Sequence, residues 1–341
     1  MRALVAHGAH DLRIEERELD RSTGSVVVRP VYGGICGSDL HYFASGRVGA
    51  FAIREPLVLG HEVVAEVVDD PDGRFRTGAR VAVHPATADG TCPECLAGRP
   101  NVCRNGRYLG SAATLPHTQG AFAELAALRP DQLRALPDSL PTLRAVLAEP
   151  LAVGLHAIAR AGGVAGKRVL VSGAGPIGLL AAGAAVALGA EAVTVTDLLE
   201  RPLGVARELG AARTIDLTSE EVEPEAFDVV LEAAGAPAAV TTAITAVARR
   251  GLVVQIGMVP GEARPIAVAP LIAKEAALLG TFRFDTELDG AVALLDRHPG
   301  FDAVVSHIRP LEDALAAFEL AADASLSSKV VLALSPDSSP A

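Results

Sequence analysis

The chain has 341 residues, half of them apolar, which is enough material for two buried cores. Its formal net charge of -11 excludes the basic face that nucleic acid or an anionic membrane surface attracts, and it favours a small diffusible substrate. An anionic substrate would need a local cationic anchor to override that field.

The opening MRALVAHGAHDLRIEE lacks the uninterrupted apolar core of a signal peptide, and the longest apolar run, Ile177 to Ala190, is short and rich in Gly and Ala. The expectation is a cytoplasmic protein without a membrane span. Up to about Glu149, short Val-rich runs such as SVVVRPV, HEVVAEVVDD and ARVAVHP are broken by Gly and Pro, which predicts a compact β domain. Within it, GICGSDLHYF and VLGHE supply Cys36, His61 and Glu62. A thiolate, an imidazole and an oxygen from Glu62 or Glu149 could hold one zinc and leave a position open, as a catalytic site requires. Further on, Asp89, Cys92, Cys95 and Cys103 place three thiols and an acid in register for a second, closed zinc site. Cysteines clustered in this way bind metal in a reducing compartment more often than they form disulfides.

From Leu151 the texture changes to buried strands alternating with Ala-rich helices, the pattern of a parallel sheet covered on both faces. RVLVSGAG reads as a strand and turn, PIGLLAAGAAVALG as a helix, AVTVTD as a strand and ERPLGVARELG as a helix. FDVVLEAAG, AAVTTAITAVARR and LVVQIGM then read as strand, helix and strand. In GAGPIG, Gly173, Gly175 and Gly178 permit a tight turn, and Pro176 and Ile177 open a helix whose N–H groups face a pyrophosphate. Asp197 ends the next strand, roughly 20 residues on, where a carboxylate accepts from ribose hydroxyls and repels a 2′-phosphate, so NAD is the expected cofactor. Arg201 and Gly257 are assigned to the same site. After Phe284 the elements are mixed, and SSKVVLAL is expected to return as a strand of the first domain. The tail Ser335 to Ala341 is expected to fray.

The motifs GGICGSDLHYF, GRVGAFAIREPLVLGHE, EPLAVGLHA, GAGPIGLL and GTFRF resemble the zinc-containing medium-chain alcohol and polyol dehydrogenases, over the whole chain. They look like the sorbitol dehydrogenase branch, and GSAATLPHTQGAF with GTFRFDTE is most similar to L-idonate 5-dehydrogenases. The resemblance implies an α/β protein. A GroES-like β-rich catalytic domain, residues 1–150 completed by 285–341, would join a doubly wound Rossmann domain of residues 151–284. It implies two Zn2+ per chain, NAD, and a homotetramer with neither nucleic acid nor membrane as partner. Cys36 and His61 would bind the catalytic zinc, with Glu62 and Glu149 sharing the remaining contacts. Ser38 would take the proton of the substrate hydroxyl and His41 would pass it outward. Asp89 stands where the family's structural zinc site has a fourth cysteine. Tyr42, Ser111, Thr114, His117, Glu149, Arg283 and Phe284 would line the substrate pocket. The implied reaction is oxidation of L-idonate to 5-keto-D-gluconate, with neutral polyols such as sorbitol or xylitol as the alternative. A non-enzymatic NAD-binding redox sensor on the same fold would have no use for Cys36, His61, Glu62, Ser38 and His41 together.

Overall fold

A computed structural model describes residues 1–22, 24–259 and 261–336. The first part of the chain builds a mixed sheet whose order is Leu133–Ala135, Arg80–Val83, Glu62–Asp69, Val26–Gly34, Lys329–Ala333 and Val305–Pro310, with Ala126–Leu128 also paired to Val26–Gly34. The strand read in SSKVVLAL therefore crosses back: Val331 pairs with Gly34 and Leu332 with Gly33, antiparallel. Two sequence-remote strands meet there because both are almost continuously apolar and buried. Leu4, Val28, Leu59, Val63, Phe122 and Phe318 belong to the core beneath this sheet.

The second part is a six-stranded parallel sheet in the order Arg213–Asp216, Ala192–Asp197, Arg168–Ser172, Phe227–Glu232, Val247–Gln255 and Ala277–Gly280. The strand order reverses next to Arg168–Ser172, so a crevice opens at the carboxyl ends, where such sheets bind nucleotides. The fold is thus α/β, a GroES-like domain with a doubly wound Rossmann-like sheet. The helix Pro176–Ala187 is apolar all round and packs on this sheet.

One boundary differs from the sequence pattern. The helix Pro237–Ala246 ends before VARR, which instead opens the strand Val247–Gln255. Val247 pairs with Phe227, and the register then shifts around Arg250, whose φ is +59°. Pairing with a buried neighbour strand overrides the helical tendency of Ala and Arg.

Candidate active site

Cys36 stands where the strand Val26–Gly34 gives way to the helix Gly37–Ser45. The Asp39 carboxylate accepts the Cys36 backbone N–H at 3.0 Å, so one acid shapes the helix entrance and reaches into the site. His61 and Glu62 arrive from the neighbouring strand, since Gly34 pairs with Glu62. A Cβ at Gly34 would lie 2.3 Å from a Glu62 carboxylate oxygen, so any side chain there would displace that acid. The ligand atoms of Cys36, His61 and Glu62 lie within 4.8 Å of one another, and the side chains of His61 and Glu62 are buried.

The charges of this pocket are unbalanced in a way that suits a cation. Burial alone would lower the imidazole, yet Cys36 beside it and Asp39 behind it raise His61 to about 10. The His61 Nδ1 and an Asp39 oxygen lie 3.9 Å apart, each buried without a hydrogen-bond partner. At that distance the pair makes no hydrogen bond, and the carboxylate acts on the imidazole through its charge. Burial likewise raises the Asp39 carboxyl. Thiolate, imidazole and carboxylate are a donor set that zinc accepts, so the residues present fit that ion.

Two further neighbours of this cluster, like Asp39, were not foreseen. Lys329, on the returning strand, donates to both Glu62 oxygens at 2.6 and 2.8 Å and to the Ile35 carbonyl at 3.0 Å. Burial opposes its charge, but Glu62 more than compensates and holds the ammonium above the ordinary lysine range. A lone lysine opening an apolar strand was the available signal. Tyr108, after the last cysteine in GRYLG, donates its hydroxyl to Glu149 and sets its ring edge-on to His61 at 5.4 Å between centroids. Burial raises Glu149 to about 7, although His61 and the Tyr108 hydroxyl pull the other way. Glu62, not Glu149, is the acid that falls within the three-residue cluster.

Ser38 is half-buried and His41 exposed, three residues apart on one face of the helix Gly37–Ser45. Arg283 lays its guanidinium over the Tyr108 ring at 3.8 Å from the centroid, and burial lowers its pKa while Tyr108 and Glu149 counteract this. Tyr42 is buried, and its hydroxyl accepts the Ala112 N–H at 2.9 Å. Ser111 bridges to Thr118, and the Thr114 hydroxyl donates to the Pro116 carbonyl at 2.9 Å.

Two expected pocket residues are placed otherwise. Nε2 of His117 accepts the Arg54 N–H at 2.9 Å and its Nδ1 meets the Thr114 carbonyl at 2.7 Å, so both ring nitrogens are engaged in holding the loop. Phe284 is 1% exposed and packs on His84 with centroids 4.7 Å apart, which makes it a core residue rather than a wall of the pocket.

A cleft of about 420 Å³ runs from Cys36, Glu62 and Lys329 to Gly173, Gly175, Pro176, Ile177, Gly178 and Asp197. Gly178 is obligatory, because a Cβ there would meet the Gly173 carbonyl at 1.9 Å. Asp197 accepts the Ala174 N–H at 2.7 Å and those of Leu198 and Leu199 at 2.8 and 3.0 Å, which fixes its carboxylate beside the glycine turn. Gly257 donates to the Glu232 carbonyl at 2.9 Å and approaches Gly235 too closely for any side chain. Arg201 has a buried guanidinium nitrogen without a partner.

In the second cluster Asp89, Cys92, Cys95 and Cys103 also converge within 4.8 Å. All four cysteines of the chain are free, and the Cys92 sulfur lies 3.5 Å from that of Cys95 and 3.8 Å from that of Cys103. Asp89 accepts the N–H groups of Cys92 and Thr91 at 3.0 and 2.8 Å and the Asn105 amide at 2.5 Å, which hold its carboxyl well below the usual range. Burial pushes the Cys95 thiol up to about 12. Three thiols crowded around an ionised acid make a closed tetrahedral set. Among the described residues no helix is long and apolar enough to cross a membrane.

Comparison with known proteins agrees with this geometry. Residues 22–138 match the alcohol dehydrogenase GroES-like domain and residues 176–297 the zinc-binding dehydrogenase domain. L-idonate 5-dehydrogenase (NAD(P)(+)) of Escherichia coli K12 is 36% identical over 296 residues, 85% of this chain and 86% of that protein. Sorbitol dehydrogenase of Gallus gallus is 35% identical over 331 residues, 93% of this chain and 92% of that protein. The crystal structure of the Escherichia coli L-idonate 5-dehydrogenase superposes with a TM-score of 0.93 at 34% identity, covering 97% of each chain. A zinc-binding dehydrogenase from Sinorhizobium meliloti, bound to NADP, gives 0.88 at 28% identity, covering 97% of this chain and 98% of that one. The chain belongs to the zinc-binding dehydrogenases, as an oxidoreductase that works on alcohols with zinc and a nicotinamide cofactor.

Proposed function

We propose that the protein oxidises the secondary alcohol of a sugar acid, L-idonate to 5-keto-D-gluconate, with NAD as acceptor. When bound, zinc supplies Lewis acidity to the substrate oxygen and NAD takes up the hydride. Cys36, His61 and Glu62 would hold that metal, with Lys329 paired to Glu62 and the Asp39 carboxylate facing the His61 ring. Glu149, held by Tyr108, stands by as an acid near neutrality. Ser38 would take the hydroxyl proton, and His41, on the same helix face but exposed, would carry it outward. The Asp197 carboxylate, fixed beside the glycine turn, would favour a free ribose hydroxyl over a 2′-phosphate.

The observation that carries the substrate reading is Arg283: a half-buried guanidinium stacked on Tyr108, whose ring lies against His61, in a strongly acidic protein. A planar guanidinium binds a carboxylate through two parallel hydrogen bonds. One observation favours neutral polyols: Arg283 already faces Glu149, which answers part of its charge, and sorbitol dehydrogenases are among the relatives.

A panel of hexonates and polyols, followed at the NADH band with NAD and NADP in parallel, tests the proposal. Arg283→Ala should lower kcat/KM for L-idonate about 100-fold, as expected when one partner of a buried ion pair is lost, and lower it much less for sorbitol. Equal losses on acid and polyol, or a wild type that prefers sorbitol, would assign the protein to the neutral polyols.

A further inference from the structure

The turn that carries Arg283 is pinned from outside the cleft, and one pin leads to the cysteine cluster. Arg283 has a φ of +54°, a left-handed conformation that a side-chain-bearing residue adopts only when its surroundings hold it. Apolar packing does not supply that hold on the preceding side, because Phe282 is 50% exposed. Hydrogen bonds do. The Thr281 N–H donates to the Gln255 carbonyl at 3.2 Å, and the Asp285 N–H donates to Glu287 at 2.7 Å. Between them the Phe282 carbonyl accepts from the Asn101 side-chain amide at 3.1 Å.

Asn101 lies in the single turn Pro100–Val102, directly before Cys103. Its amide has two N–H groups, and the second reaches Nε2 of His156 at 3.3 Å. Nδ1 of His156 in turn meets Glu287 at 2.8 Å, and Glu287 is the residue that holds Asp285. His156 lies on the helix Ala148–Arg160, which also carries Glu149. One amide therefore touches the carbonyl before the strained residue and the network that fixes the backbone after it.

We propose that Asn101 is a positioning residue that ties the cysteine lobe to the Phe282–Arg283 turn, so that this lobe sets where the Arg283 guanidinium stands over Tyr108. The lobe then has a use beyond its own stability: it is the platform on which a specificity-determining side chain is aimed. The pinning stands on the geometry alone, and its consequence for substrate choice rests on the reading of Arg283 as the carboxylate anchor.

The test uses the full-length, zinc-loaded protein with Asn101→Ala and Asn101→Asp, the second of which keeps the shape and loses the amide donors. Backbone hydrogen exchange over residues 281–287 should speed up about tenfold in both, the loss of one hydrogen bond's worth of protection, with zinc content and exchange over 89–105 unchanged. KM for L-idonate should rise about fivefold to tenfold with kcat within about twofold, because binding geometry is affected and the reacting atoms are not. Adding Asn101→Ala to Arg283→Ala should bring no further loss. Unchanged exchange at 281–287 in both variants would overturn the proposal, and so would loosening of 89–105 with loss of zinc. Faster exchange at 281–287 with equal KM rises for L-idonate and sorbitol would uphold the pinning and overturn the anchor reading of Arg283.

Discussion

Cys36 sits at the junction of a strand and a helix, so its side chain projects from rigid backbone on both sides. Replacing it with Ala removes one metal donor and little packing. Cys36→Ala should therefore lose nearly all turnover while binding NADH about as well as the wild type, because the glycine turn and Asp197 are untouched. Residual kcat above a few per cent with full zinc supply, or loss of NADH binding in fluorescence titration, would contradict this assignment. Cys36, His61 and Glu62 were legible in the sequence because each belongs to a short motif whose backbone context is local. Lys329 was not, since its partner Glu62 is 267 residues away and nothing in SSKVVLAL says which acid it meets. Tyr108 was missed for the same reason. His117 and Phe284 were misread in the other direction: a histidine and an aromatic near a pocket motif look functional until their hydrogen bonds and burial are known.

At the scale of elements, the alternation of apolar strands and Ala-rich helices revealed the parallel sheet, because strands covered on both faces are continuously apolar. The end of Pro237–Ala246 was not legible, since pairing with Phe227 decides it. The loop from Asp89 to Cys103 contains only two single helical turns, Pro93–Leu96 and Pro100–Val102, and converging side chains hold it in place. Asp89 has two tasks there, as candidate ligand and as acceptor for the loop's own N–H groups. Asp89→Asn should lower zinc content and the melting temperature, because a neutral amide is a poor zinc donor even though it preserves the turn. Asp89→Cys should keep the metal and lose only the turn's hydrogen bonds. An Asp89→Asn protein with unchanged zinc and unchanged melting would show that the acid serves the turn alone. The same two variants separate the ligand role from the Asn105 contact, which either side chain at position 89 alters.

At the scale of the whole molecule, the two ends of the chain form one sheet and the nucleotide-binding sheet lies between them in sequence. Lys329 joins that architecture to the chemistry. Removing the ammonium leaves Glu62 buried, charged and unpaired, a loss worth about 3–5 kcal/mol. Lys329→Met should thus lower stability in denaturant by that order in protein freed of zinc, and by less once zinc is bound, because the metal supplies a second countercharge. Equal destabilisation with and without zinc would show that Glu62 does not approach the ion.

The returning strand also imposes an order on biosynthesis. While the ribosome is still making the nucleotide-binding half, Cys36, His61 and Glu62 have already emerged, but the lysine that pairs with Glu62 and the second strand that flanks Gly34 have not been translated. Until then the acid has no reason to leave water. The cysteine loop carries no such debt, for all four of its side chains lie within residues 89–103. A nascent chain can therefore close its cysteine lobe early, whereas the cluster of Cys36, His61 and Glu62 gains its cation only after the whole nucleotide-binding half has been made, when Lys329–Ala333 slides in beside Val26–Gly34.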